Sequence, residues 1–84
     1  MYCWDDAKNE TNIEKHGVGF VAAALVFEGL VAEIQDTRTT SEIRINAFGL
    51  INGRLFVCTY TLRYGWRHII SLRKANKREV KRYG

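Results

Sequence analysis

The sequence predicts an α+β fold: an antiparallel sheet meander with two N-terminal helices packed on one face and a short C-terminal helix. Three features carry that prediction. Asn52-Gly53 sits between two β-rich runs, 43–51 and 54–62. Apolar residues in 18–27 (VGFVAAALVF) recur at helical spacing, and Leu30, Ala32 and Ile34 alternate with Val31, Glu33 and Gln35 in the manner of a half-buried strand.

In chain order, there is room for a short strand at 2–4. Asp5 and Asp6 can cap a polar helix to about Lys15, which His16-Gly17 ends because glycine accepts the left-handed conformation past a helix terminus. Its apolar stripe is thin (Ala7, Ile13), so it should lie on the surface. The core helix is 18–27, where Phe20, Ala23 or Ala24, and Phe27 share a face; Gly29 stops it. After the strand at 30–35, residues 36–41 read as a loop. Asn-Gly tolerates positive φ at both central turn positions, so 43–51 and 54–62 form a type I′ hairpin, with Ile45 opposite Tyr60, Ala47 opposite Cys58 and Phe48 opposite Val57. A turn at Tyr64-Gly65 leads into a last strand, 67–73, and residues 75–83 form a basic helix.

Eighty-four residues make one domain, 1–84. Such a chain removes only about 60–65% of its unfolded surface from water, leaving a margin of a few kcal/mol. The longest apolar run is too short to span a bilayer, no secretory leader is evident, and no membrane partner is expected. Cys3 and Cys58 have neither metal-ligand nor redox spacing and read as buried reduced thiols, which fits a cytoplasmic protein.

Charge is divided unevenly. Residues 1–42 carry eight acids against three bases, whereas 43–84 carry ten bases against the single acid Glu79. Seven of those bases fall within RHIISLRKANKREVKR, residues 67–82. A cationic half on a small domain suits a polyanion, above all nucleic acid; a solvated helix face or an acidic protein partner would produce the same pattern.

On strict alternation Arg67, Ser71 and Arg73 share one side of the last strand, with Ile70 and Leu72 on the other among Phe48, Val57 and Leu55. Arg63 stands at the edge of the preceding turn. Guanidinium forks bind phosphate oxygens in pairs, although Arg67 and Arg73 could equally pair with Glu33, Glu42 or Asp36. His16 reads first as a helix-end residue and second as a proton-transfer group. His68 falls on the core-facing parity and reads as structural. For Tyr83, packing comes before proton transfer. No His, Cys or Asp cluster has ligand spacing and no glycine-rich phosphate loop occurs, so no cofactor is expected; any chemistry must run on Arg, Lys, His and Tyr.

The whole length resembles one known family. Trp4-Asp5-x-x-Lys8, Asn12-x-x-Lys15-His16-Gly17-Val18-x-Phe20, Glu42-x-Arg44 with Gly49, Gly53-Arg54, Thr61-x-Arg63 and Arg67-x-Ile69-Ile70-Ser71-x-Arg73-Lys74-Ala75, followed by Glu79 and Tyr83, are similar in order and interval to the BrnT-like toxins. Leu72 departs from the alanine usual there. The resemblance implies a RelE-type ribonuclease: a metal-independent endoribonuclease toxin of a type II toxin–antitoxin pair, cleaving RNA and arresting growth. The partners it implies are an RNA substrate and a ribbon-helix-helix antitoxin, joined in a hetero-oligomer through the antitoxin dimer, with operator DNA touched only through that partner. Carried onto this chain, Arg63 and Arg73 would hold the scissile phosphate, His16 or Lys8 would transfer protons, Tyr83 would be a further catalytic candidate, and Lys15, Arg67, Lys74 and Lys77 would bind flanking RNA. The product would carry a 2′,3′-cyclic phosphate. The competing readings are a non-catalytic nucleic-acid-binding or co-repressor module on the same basic face, and a scaffold that only receives an acidic antitoxin segment.

Overall fold

A computed structural model describes residues 2–36 and 42–84. Its elements are β1 (Tyr2–Trp4), α1 (Asp6–His16), a 3₁₀ turn (Phe20–Ala22), α2 (Ala23–Glu28), β2 (Leu30–Asp36), β3 (Arg44–Ile51), β4 (Arg54–Arg63), β5 (Trp66–Lys74) and α3 (Lys77–Tyr83). Apart from Asp36, which ends β2, the expected loop at 36–41 lies outside the described residues.

The five strands form one sheet in the order β1-β5-β4-β3-β2. β2 to β5 are the expected meander, and the hairpin register matches residue for residue: Ile45 opposite Tyr60, Ala47 opposite Cys58, Phe48 opposite Val57. Both turns use positive φ, at Asn52 and Gly53 and again at Tyr64 and Gly65. The sheet is not wholly antiparallel, however. β1 lies parallel to β5, pairing Cys3 with His68, a neighbour that the long intervening chain permits and that closes the edge β5 would otherwise leave open.

α1 is capped as the sequence predicts. Asp5 accepts from the Ala7 N–H at 2.8 Å, and Gly17 takes φ 70° past the C-terminus. The run 18–27 is not one helix, because Gly19 stays extended and only a 3₁₀ turn precedes α2. That turn is anchored by Asn9, whose Oδ1 accepts from the Phe20 N–H at 2.8 Å.

The sheet carries a core on each face. Phe20, Ala23 and Val26 pack with Ala47, Cys58, Tyr60, Ile69 and Leu72. Phe48, Leu55 and Val57 point the opposite way by alternation and are covered by Ala75 and Tyr83. The expected grouping of Leu72 with Phe48, Val57 and Leu55 is therefore corrected: they lie on opposite faces. α1 adds no side chain to either cluster, as its thin stripe foretells, and Ile13 stays 45% exposed. Its tie to the sheet is polar and runs through Asn12, which is buried.

A β-bulge breaks simple alternation in β5. Thr59 pairs with Ser71 but Tyr60 pairs with Ile69, leaving Ile70 as the extra residue. Ile69 and Leu72, three apart, are both fully buried on the α2 face. North and south of the bulge the parity differs, so Arg67 falls on the face of Ile69, whereas Arg73 falls on the face of Val57. His68, opposite Thr61, moves off the α2 face on which Ile69 sits.

Candidate functional site

Asn12 fixes the geometry of the site. Its Nδ2 donates to the carbonyls of Leu72 at 2.7 Å and Val18 at 2.9 Å, and its Oδ1 accepts from the Leu72 N–H at 3.1 Å. One amide thereby binds α1 to the backbone of β5 just past the bulge. On the same side of the helix, Lys8, Thr11 and Lys15 follow at helical spacing. Together with His16 they line a cleft of about 320 Å³ whose opposite wall is Ile70 and Ser71. Asp5 stands at the rim as the N-cap of α1 and the single acid among these lining residues.

His68 stands next to this cleft, two residues before its Ile70 and paired with Cys3, two residues before its Asp5, and is half-buried between β1 and β4. Its Nδ1 lies 3.4 Å from the Cys3 Sγ. Burial lowers its imidazole below the ordinary 6.5; the charges of Arg63 and Lys8 act in the same direction, and those of Glu42 and Asp5 oppose them. Arg63 ends β4 and is about half exposed, with Nη2 3.7 Å from Glu42.

The remaining basic residues divide. Arg73 grips Glu79 with both fork nitrogens, at 2.8 and 3.0 Å. Hydrogen bonding raises the Arg73 pKa and lowers that of Glu79, each against some opposition from burial. Glu79 also closes a capping box with Asn76, so the pair holds the start of α3 against β5. Arg67 does not share a face with Arg73: its guanidinium lies 4.1 Å above the Phe27 ring, near Tyr60 and Tyr2. Tyr83 stacks on Phe48 with centroids 4.3 Å apart. Lys74 and Lys77 are exposed.

Of the residues singled out from sequence, the structure thus gathers Lys8, Lys15 and His16 in one cleft; Arg63, at the end of β4, is not among its lining residues. Arg73 and Tyr83 belong to the α3 contact, and Arg67 lies on the other face. Strict alternation missed the bulge at Ile70. Its signal was nevertheless present: three apolar residues, Ile69, Ile70 and Leu72, cannot all be inward on an unbroken strand. Both cysteines are free thiols, Cys58 buried and pushed up to about 12 by that burial, Cys3 only half-buried.

Among the described residues, no three His, Cys, Asp or Glu side chains group as metal ligands, and no helix is long and apolar enough to cross a membrane. A family model described as the ribonuclease toxin, BrnT, of type II toxin–antitoxin systems matches residues 4–79. No curated protein matches significantly.

Proposed function

The chain belongs to the BrnT family of ribonuclease toxins of type II toxin–antitoxin systems, and from that premise we propose that it is a metal-independent endoribonuclease acting in the cytoplasm through the cleft between α1 and β5. The observation that carries this reading is the cleft itself, in which Lys8, Lys15 and His16 face Ser71 across the bulge. Cleavage without metal requires three things: activation of the ribose 2′-hydroxyl, stabilisation of a pentacovalent phosphate and protonation of the leaving 5′-oxygen. Each proton transfer is worth about 10²–10⁴-fold, and a positioned cation on the phosphorane a comparable amount.

In this reading Lys8 and His16 serve proton transfer to the leaving oxygen. Arg63, exposed and only loosely paired with Glu42, supplies the main charge to the phosphate. Arg73 is the second guanidinium, but Glu79 occupies its fork and offsets its charge, so its share is smaller than that of Arg63. Lys15, Lys74 and Lys77 bind flanking phosphates. The stacked ring of Tyr83 secures α3, and Arg67 serves the α2 face of the sheet. A ribbon-helix-helix antitoxin neutralises the toxin, and operator DNA is reached only through that partner.

Overproduction in bacteria tests this reading. Growth arrest with loss of RNA, reversed by co-production of the antitoxin and absent from the Arg63→Ala variant, is the expected result. Continued growth with intact RNA at full expression would overturn it and favour the non-catalytic co-repressor module.

A further inference from the structure

The bulge at Ile70 has a consequence for His68. With that extra residue in β5, His68 leaves the α2 face and stands opposite Thr61, alongside Cys3 of β1. Among the described residues its ring has one hydrogen-bond partner: Nδ1 lies 3.4 Å from the Cys3 Sγ. The charged groups acting on it come from each element packed around it: Arg63 at the end of β4, Lys8 and Asp5 at the start of α1, and Glu42 ahead of β3.

We infer that His68 is the base of the ribonuclease reaction, taking the 2′-hydroxyl proton at Nε2 while Cys3 orients the ring. This rests on the ribonuclease reading above and goes beyond it by naming the group that activates the nucleophile. In the tautomer that the role requires, Nδ1–H donates to Cys3 Sγ and the Nε2 lone pair faces substrate. The step balances. The 2′-O–H bond breaks and its proton passes to Nε2. The 2′-oxygen forms a bond to phosphorus and the P–O5′ bond breaks. The departing oxygen takes a proton from the Lys8 ammonium, leaving a 2′,3′-cyclic phosphate and a 5′-hydroxyl. The imidazolium and the Lys8 amine then re-equilibrate with solvent. Burial first, and the Arg63 and Lys8 charges after it, hold the resting imidazole toward its neutral form, and Arg63 also meets the charge that develops on the phosphate. A neutral imidazole at physiological pH is the form a base needs, and the lowered titration of His68 provides it.

The test uses the purified chain and an end-labelled RNA across pH 5 to 8. The parent should lose rate as pH falls below the ordinary histidine value. His68→Gln should lose about 100-fold or more in kcat with KM changed by less than about threefold, and the acid limb should vanish. Added imidazole should restore part of the activity of His68→Ala, which a purely structural role would not allow. Folded His68 variants that cleave within about threefold of the parent and keep its acid limb would overturn the inference while leaving the ribonuclease reading intact. A parent that does not cleave RNA would overturn both. Should both variants fail to fold, the ring resonances of the parent decide. A midpoint below 6.5 that rises when 2′-O-methylated RNA binds supports the role, and any other outcome overturns it.

Discussion

Asn12→Ala is the substitution to which this fold should be most sensitive for its size. The side chain is 5% exposed and makes three hydrogen bonds to backbone. Alanine removes all three and leaves the Leu72 N–H and C=O buried without partners; the Val18 carbonyl, less buried, can turn to water. Each of the two stranded buried groups costs about 1–3 kcal/mol, so the expected loss is about 2–6 kcal/mol. In a domain of this length each kcal/mol moves Tm by about 4–8 °C, giving a fall of at least about 8 °C. Asn12→Asp should be no better: it keeps an acceptor for the Leu72 N–H but sets a carboxylate against two carbonyl oxygens. Thermal and urea unfolding followed by circular dichroism measure both. A loss under about 0.5 kcal/mol for Asn12→Ala would refute the claim that this amide binds α1 to β5.

Other changes follow from the same geometry. A Cβ on Gly49 would stand 2.1 Å from the Val26 carbonyl oxygen, so Gly49→Ala should force α2 from the sheet and cost about 3 kcal/mol or more by urea unfolding. Arg63→Ala should lower RNA cleavage by about 10²-fold while changing stability by less than about 0.5 kcal/mol, and Arg73→Ala should cost less activity but about 1 kcal/mol of stability, since Arg73 anchors Glu79; purified-enzyme kinetics beside melting curves separate the two. Because the folded state holds Glu79 below the ordinary 4.5, the stability it contributes is fully present above that value and is lost as pH falls through its folded pKa. Glu79→Gln should therefore flatten the acid limb of the stability–pH profile below about pH 4.5, and an unchanged limb would show that the Arg73 pair contributes nothing.

Much of the fold was legible in the sequence because local chemistry agreed with the global result. Asn52-Gly53 and Tyr64-Gly65 set tight turns and thereby the register of β3, β4 and β5. Asp5 and Gly17 delimited α1. Features that depend on distant contacts were less visible. Nothing in Tyr2-Cys3-Trp4 says that it will join β5 in parallel, and the polar Asn12 on a solvent-facing helix does not announce a buried clamp sixty residues away in sequence. The bulge lay between these extremes. Ile69-Ile70 in an otherwise alternating strand hinted at it, but only the pairing with Thr59 and Tyr60 locates it. Missing it puts Arg67 on the same face as Arg73. Of the two readings of Arg73, phosphate binding or pairing with an acid of the first half, neither names its partner Glu79, six residues on, which meets it because α3 folds back onto β5.

Cleavage of a defined RNA by the purified chain in excess EDTA, with the new ends identified, tests the central claim most directly. Cleavage that persists undiminished, with a 2′,3′-cyclic phosphate on one fragment and a 5′-hydroxyl on the other, is what the cleft of Lys8, Lys15, His16 and Ser71 with Arg63 predicts. Cleavage abolished by EDTA and restored by a divalent cation, or products bearing a 3′-hydroxyl and a 5′-phosphate, would contradict it.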